Sequence, residues 1–201
     1  PLAINWADQN IPAIVEAWQL GTQSGNAIAQ VLYGDYNPSG KLPMTFPRNV
    51  GQIPIYYNYK NTGRPGPKKE VFWSHYQDVK NTPLYPFGHG LSYTTFKYDH
   101  LKTVVKENNI KVTVQITNTG KLKGKEVVQL YIRDLVASIT RPVKELKGFE
   151  LIELVPNETK TIAFTLTEKE LGFFNNKGDF IFEPGNFKVF IGGSSYTEVE
   201  S

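Results

Sequence analysis

Carboxylate, imidazole and aromatic side chains follow one another closely in the run FWSHY at residues 72–76, which lies between Glu70 and Asp78. Two carboxylates on either side of a glycosidic bond are the groups that hydrolyse it. Aromatic rings bury a large area per side chain and also line sugar-binding surfaces. Two interpretations stay open, a surface loop anchored by its rings and a loop that lines a sugar-binding cleft. The candidate substrate-binding residues are Trp73, His75, Tyr76 and Asp78.

The residue patterns that several other common kinds of site require are absent from the sequence. The chain has no cysteine, so no disulfide, thiolate metal site or cysteine nucleophile can form. Its three histidines lack metal-ligand spacing, and Ser92 lacks the G-x-S-x-G frame of a nucleophile elbow. The lone G-x-G at residues 88–90 lacks the strand-to-helix context of a phosphate site. Asp8, Glu16 and Asp35 remain as carboxylates, and Asp8 and Asp35 lie next to predicted helix ends, where capping or turn roles are usual. We expect no cofactor and no metal.

Composition bounds the class of protein. The 201 residues are 40% hydrophobic and 20% charged, with a net charge of +3, which is typical of a soluble globular protein. No basic block is present, so nucleic acid is not an expected partner. No apolar run reaches about 18 residues, so no membrane span is predicted. Because the chain begins without Met, in what reads as ordered structure, we expect a piece of a longer protein.

Residues 1–35 have the pattern of an incomplete α/β segment. Residues 2–6 predict a short strand, and Pro12 with the stripe at residues 13–18 predicts a helix. A second helix is predicted from Thr22 or Ser24 to Gly34. Two helices and one strand expose apolar faces that need a partner.

Residues 36–97 predict a long extended arm, since proline and glycine recur without long periodic stretches. Its end, LYPFGHGLSYTTF at residues 84–96, is too aromatic for a linker and too rich in glycine and proline for a helix. We expect a packed connector there. Residues 98–201 then alternate apolar and polar positions between turns, which predicts a β-sandwich of about seven strands. The fold class is therefore mainly β.

Several segments resemble the C-terminal part of family 3 glycoside hydrolases, in order and over essentially the whole chain. They are AIVEAW (13–18), GNAIA (25–29), VLYGDYNPSGKLP (31–43), TFP (45–47), GQIP (51–54), residues 84–96, NTG (118–120) and RPVKELKGF (141–149). The last segment resembles the fibronectin type III-like tail of that family. The resemblance divides the chain into the end of an α/β sandwich domain (1–35), an arm and connector (36–97) and a fibronectin type III-like, immunoglobulin-like β-sandwich (98–201).

The resemblance also implies a function. Family members are retaining glycosidases in which a barrel supplies an Asp nucleophile and the sandwich domain supplies an acid/base residue, usually Glu. Neither residue maps onto this chain, so it is expected to be inactive alone and to brace the cleft. The implied partners are the N-terminal barrel and the rest of the sandwich domain, the implied substrate is a β-linked gluco-oligosaccharide, and the implied location is periplasmic or secreted.

The residues themselves are also compatible with two other functions. Aromatic side chains expected to be exposed, at Tyr56, Tyr57, Tyr59 and Trp73, favour a non-catalytic carbohydrate-binding module. Residues 98–201 alone would suit a structural or adhesive β-sandwich, which leaves the first 97 residues unexplained.

Overall fold

A computed structural model describes residues 1–64, 72–107 and 109–197 of the chain. Its helices and strands lie in the order α1 (Asn5–Asn10), α2 (Ser24–Tyr33), β1 (Phe96–Lys106), β2 (Asn109–Asn118), β3 (Gly124–Asp134), β4 (Glu145–Leu154), β5 (Thr159–Leu166), α3 (Glu168–Leu171), β6 (Phe173–Phe174), β7 (Phe180–Ile181) and β8 (Phe187–Gly192). No helix in the described ranges is both long enough and apolar enough to cross a membrane.

Two antiparallel three-stranded sheets form the sandwich. One has the strand order β1-β2-β5 and the other β4-β3-β8, while β6 and β7 make a separate two-stranded hairpin. Val112, Val114 and Ile116 alternate with polar residues along β2 and are fully buried, as a strand with one core face requires. The predicted β-sandwich is confirmed, and the described residues hold eight strands, two of them only two residues long.

The core lies between the two sheets. Its largest contributions come from β2 and β3, with further residues from β4, β5 and β8, and the inward residues alternate with outward ones. The cluster consists of Val112, Val114, Ile116, Val128, Leu130, Ile132, Ile152, Leu154, Ile162, Leu166, Leu171, Val189 and Ile191.

Strand β3 is buried on both faces over its second half. Gln129 and Tyr131 point away from the core and are nevertheless 3% and 0% exposed. The arm covers them, since the ring of Tyr57 lies 5.9 Å from that of Tyr131 and is stacked on Phe87 at 4.4 Å. The arm is therefore packed on the outer face of the sandwich.

The connector at residues 84–96 is ordered and packed. Its backbone pairs with an earlier part of the arm, because Leu42 N donates to His89 O at 2.8 Å and Phe46 N donates to Tyr85 O at 2.9 Å. Gly88 has a φ of +78°, and a Cβ there would overlap the side-chain amide of Gln129. Glycine is thus required both by the backbone conformation and by the close approach.

The first 20 residues differ from the prediction. Residues 2–4 form no strand, α1 begins at Asn5, and the predicted helix at residues 13–18 is absent, since residues 11–20 form neither helix nor strand. Ile11 is extended before Pro12, and Trp18 has a φ of +49°. An amphipathic stripe gains most of its helical stability from the surface on which it packs, and the stripe residues Ile14 and Trp18 are 42% and 49% exposed.

The second helix is confirmed. Helix α2 begins at Ser24 and ends at Tyr33, and the following Gly34 has a φ of +83°, the left-handed conformation of a C-terminal cap. None of its residues is buried, and Leu32 is 63% exposed. The apolar stripe that we expected to pack is therefore open to solvent in this chain.

Candidate functional site

The predicted site residues share one loop, which is closed by Asn81. Asn81 Oδ1 accepts a hydrogen bond from Tyr76 N at 3.0 Å, and Asn81 Nδ2 donates to Ser74 O at 3.0 Å. Ser74 N donates in turn to Arg64 O at 2.9 Å. The backbone of the loop is thereby fixed against the preceding part of the arm.

Only two of the four candidates are in direct contact through hydrogen bonding. His75 Nδ1 lies 2.6 Å from Trp73 O, and both residues are half-buried. Tyr76 is 44% exposed, and no described side chain forms a hydrogen bond or ion pair with the exposed Asp78. Glu70, the other carboxylate beside this aromatic run, lies outside the described residues.

The aromatic residues proposed to be exposed fall into two groups. Tyr56 and Tyr59 are 64% and 56% exposed. Tyr57 was wrongly predicted to be exposed, because it is stacked on Phe87 and its hydroxyl accepts a hydrogen bond from Leu146 N at 3.3 Å. Trp73 is half-buried beside Phe72, with ring centroids 6.3 Å apart.

Two of the early carboxylates have structural partners. Asp8 lies inside α1 rather than capping a helix, and its Oδ1 accepts a hydrogen bond from the Tyr85 hydroxyl at 2.5 Å. Burial, together with this carboxylate, raises the pKa of Tyr85 to about 12. Glu16 Oε1 accepts from Trp18 N at 2.9 Å.

A buried ion pair joins the arm to the sandwich. Lys41 Nζ lies 3.0 Å from Glu126 Oε2, and the two side chains are 13% and 7% exposed. Glu126 Oε1 also accepts from the Tyr98 hydroxyl at 2.8 Å, and Lys41 donates to Gly90 O at 3.1 Å. Burial and the charge of Glu126 raise the pKa of Tyr98 far above its usual value.

This ion pair borders a cleft of about 410 Å³ that also contacts His89 and Thr94. Glu126 occupies an inward position of β3, in register with Val128 and Leu130. A carboxylate at a core position of an alternating strand was the signal that could have marked Glu126 as buried, although it does not identify Lys41 as the partner. Because every polar atom described here has a partner, the pair stabilises the arm rather than offering a free acid.

A second cluster lies where β3 ends. Arg141 Nη2 donates to Glu145 Oε2 at 2.6 Å, and the guanidinium carbon lies 4.4 Å from the centre of the Phe173 ring. Asp134 is nearby and 3% exposed, and burial raises the pKa of its carboxyl. In the sequence, Arg141 stands out only as part of the family motif at residues 141–149, and this cluster was not predicted.

The Asp134 cluster borders the larger cleft, which has a volume of about 930 Å³. None of the four predicted site residues lines either cleft. Among the residues that the structure describes, no group of three or more His, Cys, Asp or Glu side chains could hold a metal ion.

Comparison with known proteins matches two consecutive family models. Residues 1–93 match the glycosyl hydrolase family 3 C-terminal domain, and residues 126–195 match the fibronectin type III-like domain.

Curated relatives match over almost the whole chain. A periplasmic β-glucosidase of Salmonella typhimurium is 52% identical over 97% of this chain and 26% of its own length. A β-xylosidase of Formosa agariphila is 45% identical over 97% of this chain and 27% of its own length. The chain thus spans about a quarter of the curated relatives it matches.

A solved structure gives the same correspondence. The crystal structure of a β-glucosidase from Listeria innocua in complex with glucose superposes with a TM-score of 0.84 and 45% identity, covering 90% of this chain and 26% of that one.

Proposed function

Because the chain belongs to glycoside hydrolase family 3, as the C-terminal part of such an enzyme, we propose that the enzyme is a β-glucosidase. It would release terminal β-linked glucose from oligosaccharides with retention of configuration. The observation that carries this proposal is the 52% identity, over 97% of the chain, with a periplasmic β-glucosidase. The same relative supports a periplasmic or secreted location.

The catalytic carboxylates are proposed to lie outside this chain. A retaining mechanism needs two carboxyl groups about 5 Å apart, one as nucleophile and one as acid/base. The buried carboxylates described above instead accept structural hydrogen bonds or pair with cations: Glu126 with Lys41, and Glu145 with Arg141.

The chain's own contribution is to brace the substrate cleft. We divide it into the end of the α/β sandwich domain (1–35), an arm with its connector (36–97) and the β-sandwich (98–201). The packing of Tyr57 and Phe87 against Tyr131 supports this role, because it fixes the arm to the sandwich. The proposed partners are a barrel and the remainder of the sandwich domain, and solvent-exposed Trp6 and Leu32, which are 70% and 63% exposed, offer the apolar surface on which they would pack.

The loop closed by Asn81 is proposed to contact substrate at the outer wall of that cleft. Trp73 and Tyr76 would supply ring faces, while His75 and Asp78 would supply polar groups. The short link from His75 Nδ1 to Trp73 O supports a defined orientation of the imidazole.

An aryl β-glucoside assay tests the proposal. We expect turnover by the full polypeptide and none by the 201-residue chain alone; turnover by the isolated chain at a rate near that of the whole enzyme would sink the assignment of the catalytic groups. In the full polypeptide, Trp73→Ala should raise KM several-fold if the loop contacts substrate. Tyr59→Ala is the matched control, because its exposed ring lies outside the loop.

A further inference from the structure

The cleft of about 930 Å³ at the end of β3 has no role in the proposed function. Its walls come from three parts of the chain: the arm, the loop that joins β3 to β4, and the turn between β6 and β7. Its volume lies within the range of small-ligand pockets, roughly 300–1,000 Å³. Its charged and polar lining residues are Lys60, Asn61, Arg133, Asp134, Ser138, Thr140, Arg141 and Asn176.

Positive charge dominates the lining. Lys60, Arg133 and Arg141 line the cleft together with the single carboxylate of Asp134, and Arg141 is already paired with Glu145. Within the described ranges, neither Lys60 nor Arg133 has a carboxylate within ion-pairing distance.

The side chain of Arg141 is held in place by its neighbours. Its side chain is 10% exposed, packs on Phe173 and pairs with Glu145. Its Nε is buried and donates no hydrogen bond, since Asp134 Oδ2 lies 3.9 Å away. A guanidinium fixed in this way is pre-oriented, and its planar set of N–H donors suits a carboxylate.

The loop carrying the remaining polar groups is fixed in advance. Ser138 N donates to Glu183 Oε2 at 2.8 Å, and Val136 N donates to Asp134 Oδ1 at 3.3 Å. Uncharged hydrogen-bonding side chains, which suit sugar hydroxyls, stand along the same cleft: Asn61, Ser138, Thr140 and Asn176.

We propose that this cleft binds an acidic saccharide, with a uronate carboxylate among Lys60, Arg133 and Arg141. The uncharged side chains would bind the hydroxyl groups of the same ligand. This site goes beyond the proposed hydrolysis of β-glucosides and needs no catalytic group. It would let the enzyme hold a carbohydrate that carries uronic acid units.

Isothermal titration of the full polypeptide with trigalacturonic acid tests the proposal. The matched ligand is the methyl ester of the same trimer, which keeps the hydroxyls and removes the charge. We expect the acid to bind and the ester to bind at least about tenfold more weakly, with affinity for the acid falling as NaCl is raised.

The protein variants isolate the cleft. Lys60→Gln with Arg133→Gln should weaken binding of the acid at least about tenfold, a loss typical of charge-assisted hydrogen bonds. Both positions are partly or fully exposed, so folding should survive. Lys102→Gln with Lys121→Gln changes the net charge equally at exposed positions outside the cleft and should leave binding unchanged.

Three results would overturn the proposal. They are the absence of heat with the acid at millimolar concentration, equal binding of acid and ester, and equal affinity in the two double variants. A competition experiment distinguishes binding of a saccharide from binding of a simple anion. If inorganic phosphate displaces the trimer with the same affinity, the hydroxyl contacts contribute nothing and the cleft is not a saccharide site.

Discussion

At the scale of the residue, His89 in the connector is exposed to the charge of the buried Lys41. Its ring is stacked on Tyr85 with centroids 5.2 Å apart, and burial, followed by the charge of Lys41, lowers its pKa. A histidine with a lowered pKa in the folded state binds fewer protons than the unfolded chain once pH falls below about 6.5. Its contribution to stability is complete above that pH and is lost as pH falls toward the folded pKa.

We therefore predict that the free energy of unfolding falls as pH is lowered from 7 toward 5 and that His89→Phe reduces this slope. Urea unfolding at a series of pH values measures it. His100→Asn is the control, because His100 is exposed and its φ of +53° suits asparagine. Equal slopes in the wild-type protein and His89→Phe would contradict the prediction.

Individual residues show which features could be predicted from the sequence and which could not. The alternation of Val112, Val114 and Ile116 predicted β2 correctly, because one buried face imposes period two. Glu126 could not be placed with Lys41 in the same way, since 85 residues separate them and only the docked arm brings them together.

At the scale of the element, the arm is held to the sandwich by ring contacts. Tyr57 stacks on Phe87, meets Tyr131 edge-on and accepts a hydrogen bond from Leu146 N. Removing the ring leaves a void between the arm and the sandwich, and large-to-small changes at buried aromatic sites cost about 3–5 kcal/mol. Because Tyr57 is only half-buried, we expect a loss nearer about 2 kcal/mol for Tyr57→Ala.

Tyr57→Ala should loosen the arm locally as well as lower the free energy of unfolding. Limited proteolysis should cut the arm of Tyr57→Ala faster than that of the wild-type protein, while Tyr56→Ala, whose ring is 64% exposed, should behave as wild type. An arm equally protected in both variants would show that Tyr57 does not hold it.

The arm also explains why the burial of both faces of β3 could not be predicted from the sequence. Its apolar run predicted a strand, but not burial of Gln129 and Tyr131, because the covering surface comes from residues far away in the chain. The predicted helix at residues 13–18 failed for the converse reason, since its stripe stays largely exposed and only the edge-on contact of Trp18 with Phe46 covers part of it. The four candidate site residues stay a prediction: the structure places them in one loop without showing what they bind.

At the scale of the whole molecule, the two ends of the chain differ in what they bury. The sandwich encloses a continuous core, whereas residues 1–36 leave large apolar side chains open to solvent. Trp6, Leu32 and Tyr33 are 70%, 63% and 85% exposed. Several large apolar side chains left open in one segment indicate an interaction site.

We predict that the isolated 201-residue chain self-associates and that Leu32→Glu reduces the association. In the full polypeptide the same substitution should lower the melting temperature and the proposed aryl β-glucosidase activity, because it would place a charge in a packed interface. Val105→Glu is the control: it introduces the same charge at a 72% exposed position on β1 and should change neither quantity. Sedimentation of the isolated chain and thermal melting of the full polypeptide measure the two effects, and a full polypeptide indifferent to Leu32→Glu would mean that this face of α2 meets no partner.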